Sequence, residues 1–168
     1  MIAEETTKLI SLVKLAESIE GRKKFQKIIF ILQNEGLDFG KNFKYANFGP
    51  YSIDLQIEFD ALVNRSVLFE KENNGAFIYS YNKVNHYFPM QEISPEIREK
   101  SNLINYLTEK APQELELVST IYFLKNKGSE YSNNEIVKRK IAYLKPHLTH
   151  KITSAFKIFE KIKKCQFA

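Results

Sequence analysis

Residues 67–81 read VLFEKENNGAFIYSY and place two β-rich runs on either side of the dipeptide Asn74-Gly75. Asn-Gly is the strongest short-range signal for a β-hairpin, because both residues tolerate the positive φ angles of a two-residue turn. The segment therefore predicts a two-stranded antiparallel hairpin. The remaining long periodic segments of the chain are helical, so this stretch decides the fold class.

Three helices are predicted before the hairpin. The first covers residues 3–19 and the second ends near Gly36, and both carry apolar residues at the spacing of one helix face. Ser52 is suited to cap a third helix, whose predicted buried residues are Leu55, Phe59 and Leu62. A short strand is predicted within residues 42–48, followed by a turn at Gly49-Pro50. Apart from that strand, three helices and a hairpin have the order of a winged helix.

From residue 90 onward the pattern is wholly helical, with helices predicted at about 95–109, 112–127, 133–144 and 149–164. Ser132 and Glu135 have the spacing of a capping box at the start of the third of these helices. No flexible linker separates the two halves. The sequence thus predicts a mainly α chain with a small β-hairpin (α+β). We expect a winged-helix-like subdomain at 1–89 and a helical subdomain at 90–168 packed on it.

The composition is that of a globular chain. Of the 168 residues, 43% are hydrophobic, and the 27% that are charged mix both signs around a net charge of +5. Glu4, Glu5 and Lys8 interrupt the apolar residues at the N-terminus, which argues against a signal peptide. No apolar run reaches the length of a membrane span, and the single cysteine, Cys165, cannot form an internal disulfide. We expect a soluble cytoplasmic protein with no membrane contact.

Residue patterns that carry catalysis are missing from the sequence. There is no glycine-rich phosphate loop, and Cys165 has no neighbouring base. His147 and His150 lack a third metal ligand at a suitable spacing, so solvated or helix-capping histidines are the better interpretation. Asp54 and Glu58 share a face of the third helix, which is more typical of an exposed helix surface than of acid–base catalysis. We therefore expect a non-catalytic protein with no cofactor and no metal.

Three stretches together resemble a known family. They are Gly21-Arg-Lys-Lys-Phe-Gln-Lys-Ile-Ile-Phe-Ile-Leu32, Tyr45-Ala-Asn-Phe-Gly-Pro-Tyr-Ser52 and Tyr143-Leu-Lys-Pro146. Over nearly its whole length the chain resembles the YwgA-like family of uncharacterised bacterial and archaeal proteins. Its first half is more distantly similar to the Panacea (SocA-like) antitoxin and adaptor domains, which share a KLQK helix and a GP turn, although Phe25 stands here in place of the usual leucine. The resemblance implies a winged-helix-like fold and a regulatory or interaction role, and it carries over no catalytic residues.

Cationic side chains concentrate in two places. Residues 135–168 hold nine basic and two acidic side chains, whereas residues 1–89 hold eleven of each. Ten cationic residues are candidates for contact with nucleic-acid phosphates. They are Arg22, Lys23, Lys24 and Lys27 at the start of the second helix, and Lys138, Arg139, Lys145, Lys157, Lys161 and Lys164 near the C-terminus. Since such contacts go to phosphates, we expect DNA binding with little sequence preference and a steep dependence on salt. A solvated lysine surface is the alternative.

Two features favour a protein partner instead. The third helix, which would be the recognition helix of a winged helix, is acidic and would repel a duplex. Tyr45, Phe48 and Tyr51 surround the GP turn, and aromatic side chains are enriched at protein interfaces. The alternative to a DNA-binding regulator is therefore a protein-interaction module of the antitoxin or proteolytic-adaptor kind. Self-association as a dimer is also open.

Overall fold

A computed structural model of the chain describes residues 3–84, 92–164 and 167. It is mainly helical with small antiparallel sheets, which confirms the predicted α+β class. The elements of the first half are α1 Glu4–Ala16, β1 Ser18–Glu20, α2 Arg22–Asn34, β2 Lys44–Ala46, β3 Gly49–Tyr51, α3 Ile53–Asn64, β4 Leu68–Asn73 and β5 Ala76–Tyr81. Those of the second half are α4 Pro95–Glu99, α5 Ser101–Thr108, α6 Pro112–Lys125, α7 Asn134–Leu144 and α8 Ile152–Lys163, with 3₁₀ helices at Ser129–Ser132 and Pro146–Lys151.

The predicted hairpin is confirmed, and a third strand extends it. β4 and β5 pair antiparallel, and Asn74 and Gly75 make the turn between them with φ angles of 52° and 80°. Positive angles at both positions are what a type I′ turn requires. β1 pairs with the other edge of β5, so the strand order of this sheet is β1-β5-β4.

Strand β1 replaces what the sequence predicted as the end of the first helix. α1 stops at Ala16, because Glu17 takes a φ of 63° and redirects the chain. Ile19 is 1% exposed and enters the core from a strand. Helical spacing runs through residues 3–19 without a break signal, so the prediction was wrong at the last three of these residues.

A second, two-stranded sheet is formed by the segment that connects α2 to α3 along the chain. The strand predicted within residues 42–48 is confirmed as β2, but the turn predicted at Gly49-Pro50 is wrong. The chain reverses at Asn47-Phe48, and Gly49 and Pro50 pair with Ala46 and Tyr45 as part of β3. Proline is tolerated there because strands at a sheet edge can do without one N–H donor.

Helix ends in the first half follow the predicted caps. The Ser52 side chain accepts a hydrogen bond from the Leu55 N–H (3.2 Å) at the start of α3, and the three predicted buried residues of that helix are confirmed. α2 ends before Gly36, whose φ is 89°, and the Leu37 N–H donates back to the Leu32 carbonyl (3.0 Å). This is the Schellman arrangement that a C-terminal glycine favours.

The C-terminal helices differ from the prediction in two details. The helix predicted at 95–109 is interrupted at Lys100, which separates α4 from α5. Asn133, not Ser132, caps α7, and its side chain accepts a hydrogen bond from the Glu135 N–H (2.9 Å). The other three predicted helices are present, and 3₁₀ turns precede α7 and α8.

One continuous hydrophobic core joins both halves of the chain. α6 lies within it, packed on α2, α7, α8 and β3, and is buried at every position from Leu115 to Tyr122. α2 is likewise buried from Phe25 to Leu32. The predicted boundary at 89/90 lies outside the described residues. Within the described ranges, no helix is long and apolar enough to cross a bilayer.

Candidate functional site

Two of the three stretches that carry the family resemblance, residues 21–32 and 45–52, contact each other. The Gln26 side chain on α2 makes two hydrogen bonds to the backbone of Ser52: Nε2 donates to the carbonyl oxygen (2.8 Å), and Oε1 accepts from the N–H (2.9 Å). One residue further along α2, Lys27 Nζ donates to the Pro50 carbonyl oxygen (2.6 Å). All four residues are buried, so these bonds satisfy polar groups that water does not reach. They also fix the position from which α3 starts.

Gly49 lets the same segment approach α6 closely. Its φ is 87°, and a β-carbon at this position would lie 3.3 Å from Thr120 Oγ1 and 3.6 Å from the Glu116 carbonyl oxygen. A side chain would therefore meet both backbone strain and crowding. We call Gln26, Lys27, Gly49, Pro50 and Ser52 the GP joint.

Three buried charged side chains lie beside the GP joint. Lys27 and Lys145 are each 2% exposed, and Glu116 is 8% exposed. Lys145 Nζ lies 2.5 Å from Glu116 Oε1 and donates to the Asn47 carbonyl oxygen (3.0 Å), which ties the end of α7 to α6 and to the β2–β3 turn. In the part of the chain that the structure describes, Lys27 has no salt-bridge partner of its own. Two cations thus share one carboxylate in a desolvated space.

Burial has a direct effect on Lys27. Desolvation lowers the pKa of Lys27 to about 8; the charge of Glu116 opposes this shift, and those of Lys145 and Lys23 add to it. The shift follows from removing an ammonium group from water without a dedicated counter-ion. Lys27 therefore carries a surplus positive charge inside the protein at neutral pH.

A cavity of about 180 Å³ opens beside Lys27, and we call it the α2–α6 cavity. Its polar lining comes from Lys23, Lys27, Glu116, His147 and the first turn of α6 at Gln113, and Phe48 forms part of its apolar wall. A larger surface hollow of about 620 Å³ lies beside α1 and α4. The lysine of that hollow is already neutralised, because Lys8 Nζ lies 2.9 Å from Glu96 and 3.1 Å from Glu4. The α2–α6 cavity, by contrast, is lined by Lys27, which has no salt-bridge partner among the described residues.

Arg22, a predicted phosphate contact, is bound within the protein. Its Nε donates to Tyr79 Oη (2.9 Å), and its guanidinium pairs with Asp60 and Glu70. Burial opposes the charge of Arg22, but its hydrogen bonds to Tyr79, Glu70 and Asp60 raise its pKa overall. Hydrogen bonds from Tyr79 and Arg22 lower the pKa of Glu70 in turn.

The other α2 cations differ in exposure. Lys24 Nζ donates to the Thr108 carbonyl at the end of α5, and burial lowers its pKa. Lys23 is exposed, with its Nζ 3.2 Å from the centre of the Phe48 ring. The expectation that Lys27 faces an external partner is wrong, because α2 is covered on the side that carries it.

The cations of the last two helices mostly face solvent. Exposed are Arg139, Lys157, Lys161 and Lys164. Lys138 is half-buried and pairs with Glu135 (3.2 Å), and Lys161 Nζ lies 4.5 Å from the centre of the Tyr106 ring. The placement of Lys145 on this surface is wrong, because its ammonium group is buried against Glu116. We call Lys157, Lys161 and Lys164 the α8 lysine row.

Acidic residues of α3 that the sequence left on an exposed face are paired internally. Glu58 accepts a hydrogen bond from Thr6 Oγ1 (2.5 Å) and forms an ion pair with Lys41. Asp60 pairs with Arg22 on the other side of the helix. The interpretation of Glu58 as part of a solvated acidic face is therefore wrong.

α3 instead turns apolar side chains to solvent. Ile53 and Ile57 are one helical turn apart and are 67% and 63% exposed. Tyr51 Oη donates to Gln56 Oε1 (3.3 Å), which brings Tyr51 beside them. α3 contains no lysine or arginine, and Asp54 is exposed in its first turn. We call Tyr51, Ile53 and Ile57 the α3 stripe.

The predicted interaction aromatics divide into two kinds. Tyr45 packs on Phe123 with ring centres 5.1 Å apart, and its buried hydroxyl has no hydrogen-bond partner among the described residues. Phe48 and Tyr51 are 49% and 36% exposed. Two of the three therefore reach the surface.

The histidine pair stays at the surface. His147 and His150 are both exposed, and His147 lines the α2–α6 cavity. Within residues 3–84, 92–164 and 167, no three metal-ligating side chains cluster. His86 and Cys165 lie outside the described residues.

Fold and surface together define a mainly α protein with a small antiparallel sheet. The chain is 27% identical over 146 residues to "Uncharacterized protein YwgA" from Bacillus subtilis (strain 168), a match that covers 83% of this chain and 87% of that protein. This likeness confirms the predicted resemblance to the YwgA-like family. No family model and no solved structure matches the chain, so the more distant likeness to Panacea domains stays a prediction.

Proposed function

We propose that this protein is a non-catalytic, winged-helix-like regulator that binds another protein through the α3 stripe. The observation that carries the proposal is the exposure of Ile53 and Ile57, at 67% and 63%, on the helix that a winged helix uses for recognition. Burying two isoleucine side chains contributes roughly 3 kcal/mol or more to association. Exposed apolar side chains grouped on one helix face are typical of a protein-binding surface.

The winged-helix part of the proposal draws on topology. α1, β1, α2, α3, β4 and β5 follow one another with the strand order β1-β5-β4, so the first strand closes the sheet beside the hairpin. The β2–β3 sheet is then an insertion between the second and third helices. This arrangement supports a winged helix, in which α3 occupies the recognition position.

The chemistry of α3 favours protein over DNA at that position. Base edges in the major groove present hydrogen-bond donors and acceptors, and isoleucine can pair with none of them. Without a lysine or arginine, α3 also lacks a side chain that would neutralise phosphate. The partner that fits is a protein surface with apolar side chains at its centre and a basic residue opposite Asp54.

The test is a binding comparison between two matched variants. Ile53→Ser/Ile57→Ser removes the apolar surface of α3, and Tyr143→Ser removes an aromatic residue from α7 that is more exposed still (79%). A partner is captured from extract of the producing cells in high salt, purified and titrated against each form. We expect the double variant to bind at least about tenfold more weakly, with the Tyr143 variant unchanged. Equal binding by the double variant contradicts the proposal, and concentration-dependent sedimentation of the chain alone identifies a second copy as the partner.

A second candidate function, DNA binding, is supported by the α8 lysine row. Its three lysines are exposed, and no acidic side chain forms a salt bridge with Lys157 or Lys164 in the described ranges. Contacts of this kind would go to phosphates and weaken steeply with salt. Duplex binding at physiological salt that is lost when all three lysines become glutamate would favour this function over the first.

A further inference from the structure

We propose that the α2–α6 cavity binds a small oxyanion, a phosphate monoester or a carboxylate, with Lys27 as its buried cationic anchor. The cavity is separate from the α3 stripe, so this inference does not depend on the proposed function. It lies where α2, the β2–β3 turn and α6 meet the 3₁₀ helix after α7. A ligand there would contact both halves of the chain.

Charge is the first argument for an anion. Lys27 is 2% exposed, and among the described residues its ammonium has one hydrogen-bond acceptor, the Pro50 carbonyl oxygen. The adjacent carboxylate, Glu116, is already paired with Lys145. A buried cation without its own counter-ion is unfavourable, and an entering anion would remove much of that free-energy cost.

Lys23 adds a second positive charge to the lining of the cavity, and His147 and Gln113 add polar groups. Lys23 and His147 stand at the exposed side, and Lys23 is held over the Phe48 ring at 3.2 Å. Gln113 lies in the first turn of the 14-residue helix α6, where its backbone N–H has no acceptor within the helix. The N–H of Ala111 at this helix end is already capped by Glu114 Oε2 (2.9 Å), and that carboxylate opposes the helix dipole. The charges that favour an anion are therefore those of Lys27 and Lys23, with the Gln113 N–H as an additional donor.

Size restricts the class of ligand. Cavities that enclose drug-sized molecules have volumes of roughly 300–1,000 Å³, whereas this one has about 180 Å³. A phosphate or carboxylate group with a short apolar body fits such a space, and Phe48 supplies an apolar wall for that body. A nucleotide would not fit within it.

Titration with simple anions tests the proposal. The full chain is titrated with inorganic phosphate and, separately, with acetate, against chloride at constant ionic strength, and binding is followed by amide chemical shifts in NMR spectra. We expect saturable shifts centred on Gln113 and His147. Lys27→Met should weaken binding at least about tenfold, because it removes the charge but keeps the length of the side chain. Lys157→Met, which removes an exposed charge on α8, should leave binding unchanged.

The outcomes separate the alternatives. Tighter binding of phosphate indicates a phosphate ester as the ligand, and tighter binding of acetate indicates a carboxylate. If Lys27→Met does not fold, Lys23→Met is used, since Lys23 is exposed and its loss should weaken binding several-fold without disturbing the core. The proposal is overturned if neither anion saturates the wild-type chain, or if the shifts are the same in the cavity variant and in the Lys157 variant.

Discussion

α2 and α8 carry similar numbers of cationic side chains and use them in opposite ways. On α2, Arg22 forms ion pairs, Lys24 donates to a carbonyl oxygen and Lys27 is buried. On α8, Lys157 and Lys161 extend into solvent. The two helices differ in position rather than in composition: α2 packs on α6, α5 and β3, whereas α8 contacts the core along one face.

The comparison teaches that charge density along a helix does not predict a binding surface. A lysine on a helix covered from several sides must find acceptors inside the protein or remain uncompensated. On a helix that is covered from one side only, a lysine on the open side keeps its ammonium group hydrated. The exposure of a cationic side chain in this protein therefore follows from how many elements cover its helix. On α8, Lys157 and Lys161 face solvent, whereas on α2 Arg22 and Lys24 are bound within the fold.

The largest loss of stability is expected when the carboxylate that lies beside both buried lysines is replaced. Glu116→Gln removes the negative charge beside Lys145 and Lys27. Breaking a buried ion pair by removing one partner costs about 3–5 kcal/mol, because the remaining charge stays desolvated. Urea unfolding followed by circular dichroism at pH 7 measures the loss.

Two comparisons sharpen this result. Glu160→Gln on α8 changes the same chemical group at an exposed position, and its effect should stay within about 0.5 kcal/mol. Glu116→Gln combined with Lys145→Met should be more stable than Glu116→Gln alone, because one of the unpaired cations is gone. A single-variant loss below about 1 kcal/mol would show that the buried cluster is not a source of stability.

The second-largest effect is a pH dependence of the unfolding free energy that is due to Lys27. Its pKa is about 8 in the folded protein and 10.5 in the ordinary reference state, so the folded chain releases the proton first as the pH rises. The penalty for burying the charge is present in full below about pH 8 and disappears between pH 8 and 10.5. Stability of the wild type relative to Lys27→Met should therefore increase by on the order of 3 kcal/mol from pH 7 to pH 10.5.

The measurement is the difference in unfolding free energy between wild type and variant, compared at pH 7 and pH 10.5. This comparison is needed because other groups also titrate in this range. Urea unfolding of the wild type and of Lys27→Met is compared at both pH values, with Lys157→Met as the exposed control. For Lys157 the difference should be constant. If the difference in unfolding free energy between the wild type and Lys27→Met is also the same at both pH values, the prediction is contradicted. The Lys27 ammonium would then be hydrated or paired with a counter-ion, unlike in the structure.

Local signals in the sequence were sufficient for much of the fold. Asn74-Gly75 predicted the hairpin, and Ser52 predicted the start of α3, because both act through hydrogen bonds or dihedral angles within a few residues. β1 was missed because it has three residues with a single buried apolar side chain, Ile19, and gains its identity from pairing with β5. Pairing between distant strands leaves no periodic pattern in so short a segment.

Prediction of the candidate sites was weaker. One signal in the sequence does point to the buried lysine: the five consecutive apolar residues 28–32 cover every side of α2 for more than one turn, which is typical of a buried helix, and Lys27 adjoins them. The partnership of Glu116 with Lys145 had no such signal, since it depends on how α7 packs on α6. The exposed stripe at Ile53 and Ile57 was also missed, because the neighbouring acidic residues Asp54 and Glu58 suggested a polar face.

The smallest loss of stability is expected when the lysines of the α8 lysine row are replaced. Lys157→Gln, Lys161→Gln and Lys164→Gln together should lower the unfolding free energy by no more than about 1 kcal/mol, because exposed substitutions cost little. Most of that loss should come from Lys161, whose Nζ lies 4.5 Å from the centre of the Tyr106 ring, in a cation–π contact that is worth about 0.5–1 kcal/mol at an exposed site. Single variants measured by urea unfolding separate the three contributions. A loss comparable to that of Glu116→Gln would mean that α8 also uses its cations to hold the fold together, and the distinction between the two helices would then be lost.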